Sequence, residues 1–446
     1  MIDLSILAGF GIILVLGVVG SDILKKIHFP QILGFMLVGV ILNIFFTLTD
    51  HTIVITDFLD IVVALTLGFI GFNLGSEIDW KTIRTMSLRI LVILLSEALL
   101  TFILVTIVIY IILGFTQFHI ALIFGSLASA TAPAGTAAVF WENKAKGALT
   151  TTTMFILALD DIVAILLTDL ALDYSTLVYE GLIIDLPRLF LPILYDISLS
   201  IGLGVVAGLI ATYFLNREDD HSEYVDFVLG AILVCIGCAA ILGISYILPT
   251  MVFGVVISSI TVKPDIDAPT KRIIEEVSEH IGPRLIRVLY DKRKEIMEEQ
   301  PHQIFDEVYR LASPIIAMFF VLIGLSLDLS AIGQIGLIGI LYMLTRTIAK
   351  YIGASLGAYI SRAEIVVQRY LGPCLLSQAG VALGLAVIIS EHLAKFGAEI
   401  VILNSKLSAD LFILNTITAT TIIFQIFGPL AIKWAIDCSG EANIDK

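Results

Sequence analysis

The sequence predicts an all-α polytopic membrane protein of about thirteen transmembrane helices, arranged as inverted repeats with two broken crossing helices. Three observations predict it. The chain of 446 residues is 58% hydrophobic and only 15% charged, with a mean hydropathy of +1.01, where a soluble domain carries roughly 25% charged residues. Apolar runs of about 20 residues, the length that crosses a bilayer, recur along the chain. Two of these runs are interrupted at their centres by proline, glycine or small polar residues. They stand seven spans apart and so run in opposite directions, as inverted repeats produce.

The first span, 4–23, has no basic segment before it; its positive charges, Lys25 and Lys26, follow the apolar run. It reads as a retained span and not a signal peptide. Spans at 30–48, 55–76 and 87–114 follow, the last carrying Glu97. The fifth, 119–141, contains SLASATAPAGTAAVF, which puts Pro133 and Gly135 in mid-crossing between Thr131 and Thr136. Proline removes a helix hydrogen bond and glycine loosens what remains, freeing backbone carbonyls and exposing the dipoles of two half-helices. The sixth, 147–172, holds Asp160 and Asp161 side by side in FILALDDIVAILLTDLAL.

Spans at 187–215, 223–244, 246–262 and 313–332 come next. The eighth holds Cys235 and Cys238, whose spacing without a mid-span histidine or a second such pair reads as packing, not redox or metal chemistry. Between the ninth and tenth lies the one sizeable polar piece, residues 263–312, which suits amphipathic helices broken near Gly282-Pro283 and at Pro301. It reads as a connector on the membrane surface or as a gating element. The eleventh span, 335–361, carries Arg346 and Lys350 one turn apart. The twelfth, 369–391, contains LLSQAGVALGLAVII, where Ser377, Gln378, Gly380 and Gly384 make the second broken crossing. The thirteenth is 407–436.

Lys and Arg set the orientation. With the N-terminus outside, inner loops hold 21 of them and outer loops only Arg188, Lys395 and Lys406. The C-terminus is then cytoplasmic. The net charge of −14 lies mostly in loops and tails and implies no acidic partner. No basic tract of nucleic-acid type and no nucleotide-binding glycine motif is present.

Ionisable side chains at mid-membrane are functional suspects. These are Glu97, Asp160, Asp161, Arg346 and Lys350; Asp57, Asp60, Asp169, Asp196, Asp226, Asp328 and Asp410 lie nearer span ends and suit local roles. Adjacent aspartates point about 100° apart on one helix. They cannot share a proton face to face, but they can line two sides of a cavity. There a carboxylate can hold a desolvated hard cation, and a proton when the cation leaves, so the two compete. Arg346 and Lys350 need partners, and the unpaired acids at similar depth are Asp160 and Glu97. Lysine sheds its proton readily when buried, so Lys350 could release one when a cation takes the aspartate. An Arg346–Glu97 salt bridge is expected to brace the fourth span against the eleventh; the alternative is that Arg346 reaches into an aqueous cavity and Glu97 joins the cation site.

Four stretches together, LDD at 159–161, TAPAGT at 131–136, RTIAKYIG at 346–353 and SQAGVALGL at 377–385, resemble the monovalent cation:proton antiporters of the sodium/proton exchanger fold, in the branch with two adjacent aspartates. The resemblance covers about residues 1–436. It implies a dimerisation and scaffold domain from 1–86 and 223–334, and a core translocation domain from 87–172 and 335–436. A linking helix at 187–215 and a short cytoplasmic tail at 437–446 complete the plan. It implies Asp161 as the essential ligand for Na+ or Li+, with Asp160 and Lys350 as a switchable pair. Ser129, Thr131 and Ala132 are the further cation- and proton-binding candidates; Pro133, Gly135, Thr136, Ser377, Gln378 and Gly380 belong to the broken helices. The branch with Asn-Asp often carries a glutamate four residues before the Asn; here that position is Ile156, and Glu97 is the available substitute. The potassium-efflux relatives carry Gln-Asp and a C-terminal nucleotide-binding domain, neither of which this chain shows, so nucleotide gating is not expected.

The function so implied is antiport of Na+ or Li+ against H+ across the cell membrane, by a homodimer embedded in lipid, with no cofactor and no nucleic acid. The same scaffold could serve K+/H+ exchange or, more distantly, a channel or sensor. An intramembrane aspartyl protease is disfavoured, because it needs two aspartates from different helices and the chain has no GxGD. No enzyme activity is expected.

Overall fold

The computed structural model describes all residues except 1–3, 27–30, 49–55, 77–87, 184, 216–220, 262–282, 328–331, 403–404 and 443–446. Among the described residues there are fifteen helices and one two-stranded antiparallel hairpin. The helices are α1 (Leu4–Lys26), α2 (Gln31–Leu48), α3 (Thr56–Ser76), α4 (Leu88–Ile112), α5 (Phe118–Ser129), α6 (Pro133–Glu142), α7 (Ala148–Tyr179), α8 (Leu186–Leu215), α9 (His221–Leu242), α10 (Ile247–Thr261), α11 (Pro283–Leu325), α12 (Ile332–Ile360), α13 (Ile365–Cys374), α14 (Gly380–Lys395) and α15 (Ala409–Ser439). The hairpin, β1 (Glu399–Ile402) and β2 (Ser405–Ser408), stands between α14 and α15. Six of the described helices are long and apolar enough to cross a membrane, at 88–112, 187–214, 224–242, 304–325, 336–360 and 409–439. Large apolar side chains such as Val15, Ile103, Leu344 and Trp434 face outward, which a lipid solvent permits.

Both expected breaks are present, so the fifth and twelfth spans are each two helices. Other expectations need correction. The twelfth begins at Ile365, four residues before the expected start at 369. The aspartate helix runs on past residue 172 to Tyr179, because nothing breaks it before Gly181 turns the chain at φ +66°. Pro301 does not interrupt α11, which continues from Pro283 to Leu325. A single proline costs one helix bond, and a long helix can absorb it as a bend. The hairpin was not anticipated. The first part of the polar segment, 263–282, and Asp328 lie outside the described residues, as do the side chains of Asp57 and Asp60.

The chain divides into two compact units. In the unit formed by 64–85 and 196–313, Phe72 packs on Phe253 and Phe305 at ring separations of 5.1 and 5.0 Å. There Asp196 accepts from the Ser200 hydroxyl at 2.9 Å and from the Ser245 amide at 3.3 Å. The other unit comprises 1–63, 86–195 and 314–446. An apolar core within it joins Ile93 and Leu94 of α4, Phe140 of α6, Leu149, Ile156 and Leu157 of α7, Ala354 of α12, Leu371 of α13 and Ile432 of α15. Ile156, which stands where the Asn-Asp branch often carries a glutamate, is wholly buried in that core.

Within this unit α4 and α12 meet backbone to backbone. A Cβ added at Gly353 would lie 2.7 Å from the Glu97 Cα, and one at Gly357 2.7 Å from the Ile93 Cα. Small residues four apart allow such an approach, the usual device for packing helices in lipid, where apolar surface alone gives no drive to associate. The Ser96 hydroxyl donates to the Gly353 carbonyl at 3.1 Å across the same seam.

Candidate functional site

The two breaks face each other. α5 ends at Ser129, and Ala130 turns extended at φ −63° and ψ 140°. α6 restarts at Pro133, where a proline at the first helical position loses nothing, since its missing N–H would have no helical partner. α13 ends at Cys374 and α14 restarts at Gly380. The two extended segments are joined by a backbone bond from the Ala132 amide to the Ser377 carbonyl at 3.0 Å. Ala130, Ala164 of α7 and Ala382 of α14 form a small buried cluster, so the aspartate helix passes close to both breaks.

A broken helix leaves carbonyls without their usual amide partners. Here side chains take them. Arg346 donates through Nε to the Ala128 carbonyl at 3.0 Å, through Nη2 to Ala130 at 2.8 Å, and through Nη1 to Leu376 at 2.7 Å. Its guanidinium lies 4.5 Å from the centre of the Phe424 ring. One fixed cation therefore serves the carbonyl ends of α5 and α13, where both helix dipoles are negative. Gln378 donates to the Leu127 carbonyl at 2.8 Å and to the Tyr342 hydroxyl at 3.2 Å. Gln425 donates to the Gln378 carbonyl at 3.0 Å. The Thr136 hydroxyl closes onto Ala132 at 2.9 Å.

Lys350, one turn beyond Arg346, gathers the acids. Its Nζ lies 2.8 Å from Glu97 Oε2 and 3.3 Å from Asp160 Oδ2, and all three side chains are sealed from solvent. It also donates to the Thr131 hydroxyl oxygen at 2.9 Å and to the Ser129 carbonyl. Asp161 is buried next to Asp160. The expected Asp160–Lys350 contact is made. Glu97 has its ion pair with Lys350, whereas the three Arg346 bonds go to carbonyls. The bracing pair between the fourth and eleventh spans thus uses a different cation from the one expected. The gap between α4 and α12 explains it: Gly353, one turn beyond Lys350, presses on the Glu97 backbone and sets the lysine level with the acid.

Of the remaining candidates, Ser129 turns its hydroxyl back to Ser126 at 2.7 Å and offers Lys350 its carbonyl instead. The Ser377 hydroxyl is buried near Gly135, where a Cβ would come within 3.6 Å. Asp169 and Asp410 are half-buried and Asp226 is exposed; Asp410 accepts from the Ser408 hydroxyl at the start of α15. Three further residues of the site, Tyr342, Phe424 and Gln425, are uncharged and do not stand out in the sequence. Tyr342 could have been found, since it stands four before Arg346 on the stripe that continues to Lys350.

Residues 11–281 match the family described as sodium/hydrogen exchanger, transmembrane. Among solved structures, the sodium proton antiporter MjNhaP1 from Methanocaldococcus jannaschii at pH 8 aligns with TM-score 0.68 and 17% identity, over 96% of this chain and 97% of that one. An electron-microscopy structure of the same antiporter aligns with TM-score 0.69 and 17% identity, over 100% and 99%. At that identity the likeness is one of fold. No curated protein matches the chain in sequence.

Proposed function

Because the chain belongs to the sodium/hydrogen exchanger family, multi-pass membrane transporters and not enzymes, we propose that it exchanges Na+ for H+ by alternating access, with Asp161 as the shared site of cation and proton. The observation that supports this most is the sharing of Lys350 between Glu97 and Asp160, beside Asp161. If all are ionised, Glu97, Asp160 and Asp161 set three negative charges against the two positive charges of Arg346 and Lys350. The surplus is one negative charge, which one monovalent cation or one proton neutralises. Buried charge is costly unless compensated, so the site favours being filled by one or the other.

The Asp160 contact is the longer of the two on Lys350. A cation that draws Asp160 away leaves Lys350 on Glu97, so the lysine keeps a counter-ion and need not shed its proton. We place the N-terminus outside, on the Lys and Arg distribution, in a homodimer of the cell membrane divided into scaffold and core as the family plan has it.

Proteoliposomes with an imposed pH gradient test the reading. Saturable Na+ uptake that collapses the gradient is expected, with Li+ and K+ tested in turn. Asp161→Asn should abolish exchange while melting as a folded protein. Preference for K+ would reassign the cation, and flux that neither saturates nor couples to the gradient would make this a channel.

A further inference from the structure

The helix that carries both aspartates is capped by a residue from the far end of the chain. An α-helix leaves its first amides without partners, and a side chain at the N-cap position usually accepts from them. At α7 that position is Gly147, which has no side chain to offer. The Glu441 carboxylate takes its place. Oε1 accepts from the Leu149 amide at 2.7 Å; Oε2 accepts from the Thr150 amide at 2.8 Å and from the Thr150 hydroxyl at 2.7 Å. The Lys146 amide donates to the Glu441 carbonyl at 3.1 Å. A carboxylate here also meets the positive end of the helix dipole.

Two glycines make the approach possible. Gly440, at φ +75°, turns the chain out of α15 towards α7. A Cβ at Gly147 would collide with the Glu441 carboxylate, whereas its backbone, at φ 160°, is ordinary extended chain. α15 in turn holds the second break: Gln425 binds the Gln378 carbonyl at 3.0 Å, and Gly428 abuts Ser377, where a Cβ would lie 2.9 Å from its Cα. Glu441 thus closes a circuit from the second break through α15 to α7. Asp160 lies ten residues along α7 from Thr150, about 15 Å at the helix rise.

We propose that Glu441 is a positioning residue of the ion site: it ties α7 to α15, so that Asp160 and Asp161 keep their level against the crossing of the two breaks. The proposal rests on the antiport reading above. A cap that served only α7 could be supplied locally, whereas a tether could not, and this difference can be measured.

The experiment compares wild type, Glu441→Ala, Glu441→Gln and the double variant Gly147→Asp with Glu441→Ala, the last returning a local cap in the space the glutamate vacates. Half-saturating Na+ is read in proteoliposomes and melting temperature in detergent. Glu441→Ala should melt lower and need several-fold more Na+, with Glu441→Gln between it and wild type. The double variant should regain the melting temperature but keep the raised Na+ requirement. Recovery of both, or an unchanged Na+ requirement in Glu441→Ala, overturns the proposal. Absence of pH-driven cation flux in wild type would instead overturn the antiport reading. Amide exchange then judges the tether alone. In the double variant Leu149 and Thr150 should stay protected while 436–440 lose protection, and retained protection at 436–440 overturns it.

Discussion

Lys350 holds two carboxylates where the sequence suggested one, and this changes what its removal does. Breaking a buried ion pair by deleting one partner costs about 3–5 kcal/mol, because the other charge is left uncompensated. Lys350→Ala strands both Glu97 and Asp160. Glu97→Gln by itself breaks the 2.8 Å ion pair with Lys350 and should also destabilise. In the Lys350→Ala background the same change removes a stranded charge and should raise the melting temperature. A reversal of sign in that double-mutant cycle is the expected result; simple additivity would mean that Glu97 and Lys350 do not act together. The individual acids and bases were legible in the sequence because charge in apolar surroundings needs a reason. Their pairing was not, because it depends on the relative height of two helices.

At the scale of elements, that height is fixed by the seam between α4 and α12. Gly353→Val would force atoms into the Glu97 backbone, which has no rotamer to yield. Overpacking of this kind costs about 1–3 kcal/mol. The variant should melt lower and lose cation-dependent stabilisation as Lys350 moves off Glu97; unchanged melting would show that the seam is loose. The two breaks were legible from Pro133, Gly135 and the SQAG stretch. What fills them was not. A break is written in residues that disrupt a helix, whereas the groups that rescue its carbonyls, Arg346, Gln378 and Gln425, sit on other segments or look like ordinary polar residues. The hairpin at 399–408 escaped notice because four-residue strands give too short an alternation to read against apolar flanks.

Over the whole molecule, the sequence already contained the helical membrane architecture, though not its one hairpin, since a mean hydropathy of +1.01 leaves few other solutions. The reach of individual helices, such as α7 to Tyr179, depended on local breakers and was less visible. The loops at the two ends of α7 give a test of orientation. Lys144 and Ile183 are both exposed and lie beyond opposite ends of the helix. In intact cells an impermeant thiol reagent should label Ile183→Cys and not Lys144→Cys; the reverse pattern would invert the proposed orientation. The rescued carbonyls also bear on selectivity. Leu127, Ala128, Ser129, Ala130, Ala132, Leu376, Ser377 and Gln378 each already spend a lone pair on a donor within the protein. A carbonyl oxygen has two lone pairs, so an ion there would share these oxygens with a protein donor and not have them to itself. On the antiport reading proposed above, carboxylates, hydroxyls and retained water then carry more of the ion's coordination, and ions would be sorted by how much of that water they can give up.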